Sequence, residues 1–253
     1  MGALNAAFAV LPDGVKHRLI AMQYRLSEDE LRRLRDFVPH DRAAVDIGGW
    51  WGPWTYWLSR RATAVHTFEP VPHVAQFLRS VSAANVTVHD AALSDAAGEA
   101  VLHVPSGGPG SEGRSTLGRP EFAGARELTV PLRTLDSIDI PDPIGFIKVD
   151  VEGHEAQVLR GAATTIATYR PVLLVEIETR PDSPGHVDEV VALVEGWGYS
   201  TSFLRRRQWL PFGEFDLERD QRRIAETVRS RGLLANMVMS SGYINNFLFR
   251  PTS

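Results

Sequence analysis

Cysteine is absent from the 253 residues of the chain. This excludes disulfide bonds, thiolate metal sites and a cysteine nucleophile. An excess of positive charge is absent too, since the formal net charge is −4 at pH 7 and the sequence pI is near 6.1. We therefore expect no nucleic-acid partner. The histidines also lack the spacing of a zinc site, so zinc is not expected.

Long apolar runs are missing as well, and no stretch is long enough to cross a bilayer. We therefore expect no membrane partner and a cytoplasmic location. No internal repeat occurs at the periods of solenoid folds. Hydrophobic residues make up 43% of the chain and charged residues 23%, as in ordinary globular proteins. The length suits one large domain, or a domain with a small appendage.

From residue 43 onward, strand-like and helix-like segments alternate. The predicted strands of this part are AAVDIGG, AVHTFEP, NVTVHDAAL, GFIKVD and PVLLVEIE, and amphipathic segments such as PWTYWLSRRA and VPHVAQFLRSVSAA separate them. Alternation of this kind is typical of a mostly parallel α/β sheet with helices on both faces. The closing segment GYINNFLFRP fits an antiparallel last strand.

Two further parts lie outside this alternation. LSEDELRRLRDFV predicts a helix over 19–38 with Ser27 as its N-cap, so we divide the chain into an N-terminal helical segment, 1–40, and a domain, 41–253. Two antiparallel strands, at about 99–104 and 127–132, are predicted to flank a Gly-rich loop. They form a hairpin inserted at about 99–132. A charged helix is also predicted over 216–232.

The segment VDIGGWWG resembles a nucleotide-binding turn. It ends a strand and begins a helix, and Gly48, Gly49 and Gly52 would let the backbone approach a ligand at the helix N-terminus. Glu69 ends the second strand, where a carboxylate can accept hydrogen bonds from two ribose hydroxyls. Asp90 ends the third strand, where it can accept a hydrogen bond from an adenine amino group. In an open α/β sheet, ligands bind at these carboxyl ends.

Two cofactors fit this layout. A dinucleotide requires the spacing G-x-G-x-x-G, but Trp50 and Trp51 stand where the pyrophosphate would lie. Asp46, two residues before Gly48, can hold the ammonium group of S-adenosylmethionine, so we favour that cofactor. Glycines that only make a tight turn, and carboxylates that only cap helices, are the alternative.

In their order along the chain, VDIGGWWG, TFEP, NVTVHDAALSD, RSTL, LRTLDSI, FIKVDVEGHEAQVLRGA and VLLVEIE resemble the motifs of FkbM-type methyltransferases over positions 40–180. The resemblance implies S-adenosylmethionine-dependent O-methylation, often of sugar or polyketide hydroxyls in bacterial natural products. It also implies a Rossmann-like class I methyltransferase fold, with a mostly parallel seven-stranded sheet and an antiparallel last strand. Trp50 and Trp51 depart from the small or polar residues usual in the first turn.

The matches imply a set of residues around the cofactor. Our cofactor-binding candidates are Asp46, Gly48, Gly49, Gly52, Glu69, Pro70, Asp90, Ala91, Ser115 and Asp150. The Gly-rich loop at 107–119 is a candidate lid, carrying Arg114, Ser115 and Thr116 over the cofactor. A hairpin tip without a ligand is the alternative for that loop.

The acidic turn after the fourth strand supplies the catalytic candidates. His154 is the first candidate for a general base, because the start of a helix disfavours the imidazolium form, and Asp150 is the second. Lys148 either orients Asp150 or bonds an acceptor oxygen, and a buried ion pair that only holds the strand is the alternative. Glu152 and Glu155 are expected to be helix caps.

A metal site is a further hypothesis. Asp150 and Glu176 end adjacent strands, and two such carboxylates can bind Mg²⁺, although a third ligand is not evident. The function predicted from the sequence is O-methylation of a small-molecule acceptor by a cytoplasmic enzyme, with a homodimer as a possible assembly. A nicotinamide-dependent oxidoreductase and a non-catalytic Rossmann-like binding protein are the alternatives.

Overall fold

The computed structural model describes residues 10–107, 110–120, 122, 124–180, 183–226 and 242–252. Among the described residues, two α-helices precede the first strand, α1 (Asp13–Ser27) and α2 (Asp29–Arg32). Within the described ranges, no helix is both long enough and apolar enough to span a membrane. The segment 1–9 and the part of the predicted helix at 227–232 lie outside the described residues.

The strands of the described part form a large central sheet and a small one. In chain order they are β1 (Ala43–Ile47), β2 (Val65–Phe68), β3 (Val86–His89), β4 (Ala92–Leu93), β5 (Gly98–Pro105), β6 (Ala125–Arg133), β7 (Ile144–Val149), β8 (Val172–Glu176), β9 (Tyr199–Arg205), β10 (Gln208–Pro211) and β11 (Asn246–Pro251). The central sheet has the order β10-β9-β11-β8-β7-β1-β2-β3, and the small sheet has the order β4-β6-β5.

The central sheet is parallel from β3 to β8, as the alternating pattern predicts. β11 lies antiparallel between β8 and β9, so the expected antiparallel last strand is confirmed. The sheet has eight strands rather than seven. The additional strand is β10, which turns back on β9 through Arg206 and Arg207, both in the left-handed region. The antiparallel pairing of β5 with β6 confirms the predicted hairpin.

Helices cover both faces of the central sheet. They are α3 (Pro53–Leu58), α4 (Pro72–Val81), α5 (Glu155–Arg160), α6 (Ala163–Tyr169) and α7 (His186–Glu195). All residues of β1 and β7 are buried, because both of their faces are covered. This explains why these strands read as nearly continuous apolar runs, interrupted only by Asp46 and Lys148.

The N-terminal helix differs from its prediction. α1 begins at Asp13 and ends at Ser27, so Ser27 is not the cap of a helix that follows. Its hydroxyl instead donates to the carbonyl of Tyr24, at 3.1 Å. Tertiary contacts decide the boundary, because α1 packs on α3: the Trp57 indole donates to the Ala21 carbonyl at 2.8 Å. His17 Nε2 lies 3.0 Å from the carbonyl oxygen of Gly52.

Candidate functional site

A cavity of about 330 Å³ opens at the carboxyl ends of the parallel strands. Its wall comes from the ends of β1, β2, β7 and β8, from α1, and from the loop between β5 and β6. Ligand sites in open α/β sheets lie at this edge. The volume falls within the range of about 300–1,000 Å³ that is usual for small-molecule sites.

Gly48 and Gly49 form the floor of this cavity after β1. Gly48 has a φ of +83°, and a Cβ atom there would lie 1.8 Å from the carbonyl oxygen of Asp150. At Gly49 a Cβ atom would lie 2.3 Å from a methyl group of Thr67. Both glycines therefore bring the first turn against its neighbouring strands. Gly52 caps the start of α3 and does not line the cavity.

Asp46 lies at the bottom of the cavity and is 1% exposed. Its Oδ2 atom accepts a hydrogen bond of 2.5 Å from the Thr55 hydroxyl. Burial raises the pKa of Asp46 to about 6, although the bond from Thr55 opposes this shift. A carboxylate in this position can hold an ammonium group of a bound ligand.

Glu69 follows β2 and lines the same cavity. Its two carboxylate oxygens accept the backbone N–H groups of Trp50 and Val71, each at 2.8 Å. Burial raises the pKa of Glu69 to about 7. The two backbone donors fix the orientation of the carboxylate, and carboxylate oxygens keep further lone pairs for ligand hydroxyls.

Among the other cofactor-binding candidates, Pro70, Ala91, Ser115 and Asp150 also line the cavity. Asp90 does not, although it directly follows β3 as predicted. Its side chain is 46% exposed and forms an ion pair with Arg79. The structure thus brings most of the predicted residues together and leaves Asp90 and Gly52 outside the wall.

The two tryptophans of the first turn, Trp50 and Trp51, have different surroundings. Trp50 lines the cavity, packs on Tyr24 with ring centroids 5.3 Å apart and has a left-handed φ of 45°. Trp51 packs on Phe77, with a centroid distance of 4.7 Å, and belongs to a neighbouring apolar cluster. Only Trp50 therefore borders the space that a ligand would occupy. Its buried Nε1 atom has no hydrogen-bond partner among the described residues.

Lys148 is the buried cation of the site, with a side chain only 1% exposed. Its ammonium lies 3.4 Å from Asp150 Oδ2 and 3.5 Å from Glu176 Oε2. Burial lowers the pKa of Lys148, but the surrounding carboxylates, led by Asp150 and Glu176, raise it by more. The ammonium group therefore stays charged.

The magnesium hypothesis finds no support at this position. The ammonium group of Lys148 lies between Asp150 and Glu176, the two carboxylates that were expected to bind the ion. Among the residues that the structure describes, no group of three histidine or acidic side chains is arranged to hold a metal. The ammonium group of Lys148 thus lies where the metal ion was expected.

Tyr24 of α1 and Glu28, which lies between α1 and α2, also line the cavity, and sequence reasoning missed both. Glu28 Oε2 accepts a hydrogen bond of 3.0 Å from the Trp54 indole. Burial raises the pKa of Glu28 to about 8. Neither residue belongs to a motif. The available signal was their i, i+4 spacing, which places two side chains on one helix face.

The acidic turn after β7 is tight. Glu152 and Gly153 both have left-handed backbones, with φ values of 51° and 91°. Helix α5 begins at Glu155 with His154 as its N-cap, so Glu152 is not a helix cap. Glu152 instead forms an ion pair of 2.8 Å with Arg180. Glu155 does stabilise the turn, since its Oε1 accepts the Gly153 N–H at 2.8 Å.

His154 lies at the entrance to α5 and lines the cavity. Its Nε2 atom is 2.9 Å from the hydroxyl of Ser94, which in turn donates to Asp95 Oδ1 at 3.1 Å. Burial lowers the pKa of His154. The imidazole is therefore neutral at neutral pH, and a side-chain relay fixes its orientation.

The loop between β5 and β6 borders the cavity from above. Arg114 and Ser115 line it, whereas positions 108 and 109 of the expected lid lie outside the described residues. The Thr116 hydroxyl donates to the carbonyl of Glu152 at 2.9 Å. The hairpin is thereby joined to the acidic turn.

A protein-family model, the methyltransferase FkbM domain, matches residues 40–210. The FkbM methyltransferase of Methylobacillus flagellatus KT is 17% identical, with a TM-score of 0.46, and the match covers 78% of this chain and 52% of that one. The chain thus matches about half the length of that structure. A Thiobacillus denitrificans SAM-dependent methyltransferase in complex with S-adenosyl-L-homocysteine is 10% identical, with a TM-score of 0.42 and coverages of 87% and 89%.

A Geobacter sulfurreducens SAM-dependent methyltransferase, also in complex with S-adenosyl-L-homocysteine, is 11% identical with a TM-score of 0.38. That match covers 87% of this chain and 89% of the other. No curated protein matches the chain by sequence. The family model is therefore the comparison that bears on identity, because it matches more than half of the chain.

Proposed function

The chain belongs to the FkbM methyltransferase family, and we propose that it transfers a methyl group from S-adenosylmethionine to a hydroxyl of a small molecule. A sugar or a polyketide-type natural product intermediate is the proposed acceptor. One observation carries the proposal: a single cavity joins Asp46 and Glu69 to His154 and Lys148. Groups suited to the cofactor thus share one space with groups suited to proton transfer.

The residues present fit the cofactor. Glu69 offers a fixed carboxylate for the two ribose hydroxyls, and Asp46 offers a buried carboxylate for the ammonium group. The wall also holds Trp50, whose buried indole N–H has no partner within the described part of the chain. When bound, the cofactor supplies a methyl group on a positively charged sulfur.

His154 is the proposed general base. The Ser94 hydroxyl has one proton, and the contact with Asp95 uses it, so His154 Nε2 donates to Ser94 and Nδ1 is free to accept a proton. A bound cofactor would supply the methyl group to the acceptor oxygen and would leave as a neutral thioether. The hydroxyl proton passes to His154. Such proton transfer contributes about 10²–10⁴-fold to rate.

Lys148 and Asp150 are proposed to position the reactants. Because the Lys148 ammonium is held between Asp150 and Glu176, its charge fixes the two carboxylates that face the cavity. Asp150 is the second candidate for the base, since it shares the wall with His154. Alignment of acceptor and cofactor is the other main contribution that the chain makes.

A methyl-transfer assay with hydroxylated acceptors tests the proposal. We expect His154→Ala to lower turnover by about 10²-fold or more while S-adenosylhomocysteine affinity changes less than twofold. His40→Ala is the matched control, because His40 is exposed and lies outside the cavity wall. An unchanged rate in His154→Ala would exclude His154 as the base and leave Asp150 as the candidate.

Two outcomes would favour the alternative functions. Tight NADH binding in place of S-adenosylhomocysteine binding would indicate a nicotinamide-dependent oxidoreductase. Cofactor binding without methyl transfer to any hydroxylated acceptor would favour a non-catalytic binding protein. Because the ammonium of Lys148 lies between the two carboxylates, we expect EDTA to leave the rate unchanged.

A further inference from the structure

A second cavity, of about 710 Å³, lies directly beside the first. The two cavities share Arg114 and Glu152 as wall residues. Since Glu152 belongs to the turn that also carries Asp150 and His154, the second cavity extends from the side of the first where the proposed base lies. A molecule in the second cavity can therefore reach this turn.

Of the residues that the structure describes, three arginines line the second cavity: Arg114, Arg180 and Arg222. Arg180 forms an ion pair with Glu152. The other two have no carboxylate within ion-pair distance among the residues that the structure describes; the guanidinium of Arg114 lies 5.3 Å from the ring centre of Phe122. Arginine presents a planar fork of donors that matches phosphate and carboxylate geometry.

The carboxylates of this cavity do not cancel that charge. Glu152 is already matched by Arg180. Glu178 accepts a hydrogen bond of 3.3 Å from the Asn245 amide, and burial raises its pKa. Glu226 is exposed, where water and salt screen its charge. Among the described residues of the wall, the charge left for a ligand is therefore positive, and it comes mainly from Arg114 and Arg222.

We propose that the second cavity binds the methyl acceptor, and that this acceptor carries an anionic group, phosphate or carboxylate, which Arg222 and Arg114 hold. The proposal rests on the proposed methyltransferase function, whose substrate class it narrows. The acceptor spans both cavities: its anionic end lies at the arginines and its hydroxyl lies at the turn of Asp150 and His154. Neutral acceptors of the same size bind weakly.

Calorimetric titration with three hexoses tests this proposal. Glucose 6-phosphate and glucuronate carry the two kinds of anion, and glucose is the neutral control. We expect at least one anionic sugar to bind about tenfold or more tightly than glucose, because charge-assisted hydrogen bonds are roughly twice as strong as neutral ones. The phosphate and carboxylate arms then tell which anion is preferred. Equal binding of all three sugars would overturn the proposal.

A matched pair of variants localises the effect. Arg222→Gln removes a charge from the cavity wall, whereas Arg223→Gln removes one from the next residue, which is outside the wall and pairs with Glu218 at 3.4 Å. We expect the first variant to weaken anionic-sugar binding about tenfold and the second to change it less than twofold. Equal weakening by both variants would contradict a specific site.

Two further measurements keep the outcomes separate. S-adenosylhomocysteine is titrated into the same proteins. If the wild-type protein does not bind it, the methyltransferase proposal is refuted, and the sugar titrations still test the anion site separately. Arg222→Lys keeps the charge but lacks the planar fork, so binding is expected between that of wild type and Arg222→Gln. Unchanged thermal unfolding shows that each variant is folded, and a folded Arg222→Gln with wild-type sugar affinity overturns the proposal.

Discussion

At the scale of single residues, Glu69 is the side chain on which we expect cofactor binding to depend most. Its carboxylate is fixed by two backbone N–H donors and faces the cavity. We expect Glu69→Gln to weaken S-adenosylhomocysteine binding by about tenfold or more, because an amide has only one acceptor oxygen and a buried unpaired donor costs about 1–3 kcal/mol. Isothermal titration calorimetry measures the change.

Asp90→Asn provides the control for that variant. Asp90 also follows a parallel strand, but it pairs with Arg79 outside the cavity wall. The loss of the Asp90 charge is expected to change S-adenosylhomocysteine affinity less than twofold. A large loss of affinity in Asp90→Asn, with little loss in Glu69→Gln, would reverse the roles assigned to the two carboxylates.

Lys148 makes a second prediction at this scale, one that concerns stability. Lys148→Met leaves the carboxylates of Asp150 and Glu176 without the cation that lies between them. Because these two carboxylates face the cavity and are 34% and 24% exposed, we expect the loss of their partner to cost about 1–3 kcal/mol of unfolding free energy. Lys16→Met is the control, since Lys16 pairs with Asp13 at the surface and such pairs contribute about 0–1 kcal/mol. Urea denaturation compares the two variants.

At the scale of elements, the join between α5 and α6 depends on Gly161. A Cβ atom at Gly161 would lie 1.9 Å from the carbonyl oxygen of Ser94, the residue whose hydroxyl contacts His154. We expect Gly161→Ala to lower the unfolding free energy by about 1–3 kcal/mol through overpacking. Gly185→Ala has no atom within 4 Å of the added carbon and should be nearly neutral. Equal stabilities in urea would refute this packing role.

The sequence predicts most elements because their cause is local. Buried strands such as β1 and β7 show apolar runs, and Pro53 and Pro72 stand at the first positions of α3 and α4. The antiparallel last strand follows from the family resemblance. The buried strands and the helix starts can be predicted without knowledge of distant contacts.

Other features depend on contacts that no local pattern encodes. A capping box was expected at Ser27, but packing of α1 on α3 extends the helix through that residue. Glu28 enters the site only because the N-terminal helices lie against Trp54. Glu152 was expected to cap a helix, but it lies in a left-handed turn and pairs with Arg180, 28 residues away.

At the scale of the whole molecule, the buried carboxyls make stability depend on pH. Burial raises the pKa of Glu28 from 4.5 to about 8 and that of Glu30 from 4.5 to about 7 in the folded chain. Their protonated forms stabilise the fold below pH 4.5, and this contribution is lost as pH rises through 8. The lowered pKa values of buried histidines change stability in the opposite direction. They do so only below about pH 7, because histidine in the unfolded chain titrates near 6.5.

We therefore expect the free energy of unfolding to fall between pH 7 and pH 9. Urea denaturation at several pH values in this interval measures the change. Glu28→Gln should make the fall shallower, because the variant has one fewer carboxyl whose pKa is raised to about 8. A stability that rises over the same interval would show that these carboxyls are ionised in the folded chain.

The central claim is that one cavity holds the cofactor at Asp46 and Glu69 and the acceptor hydroxyl at the turn of Asp150 and His154. A crystal structure of the protein with S-adenosylhomocysteine tests it most directly. We expect the ribose hydroxyls to lie within hydrogen-bond distance of Glu69 and the sulfur to face the turn. Electron density for the ligand outside this cavity, or an empty cavity at saturating ligand, would contradict it.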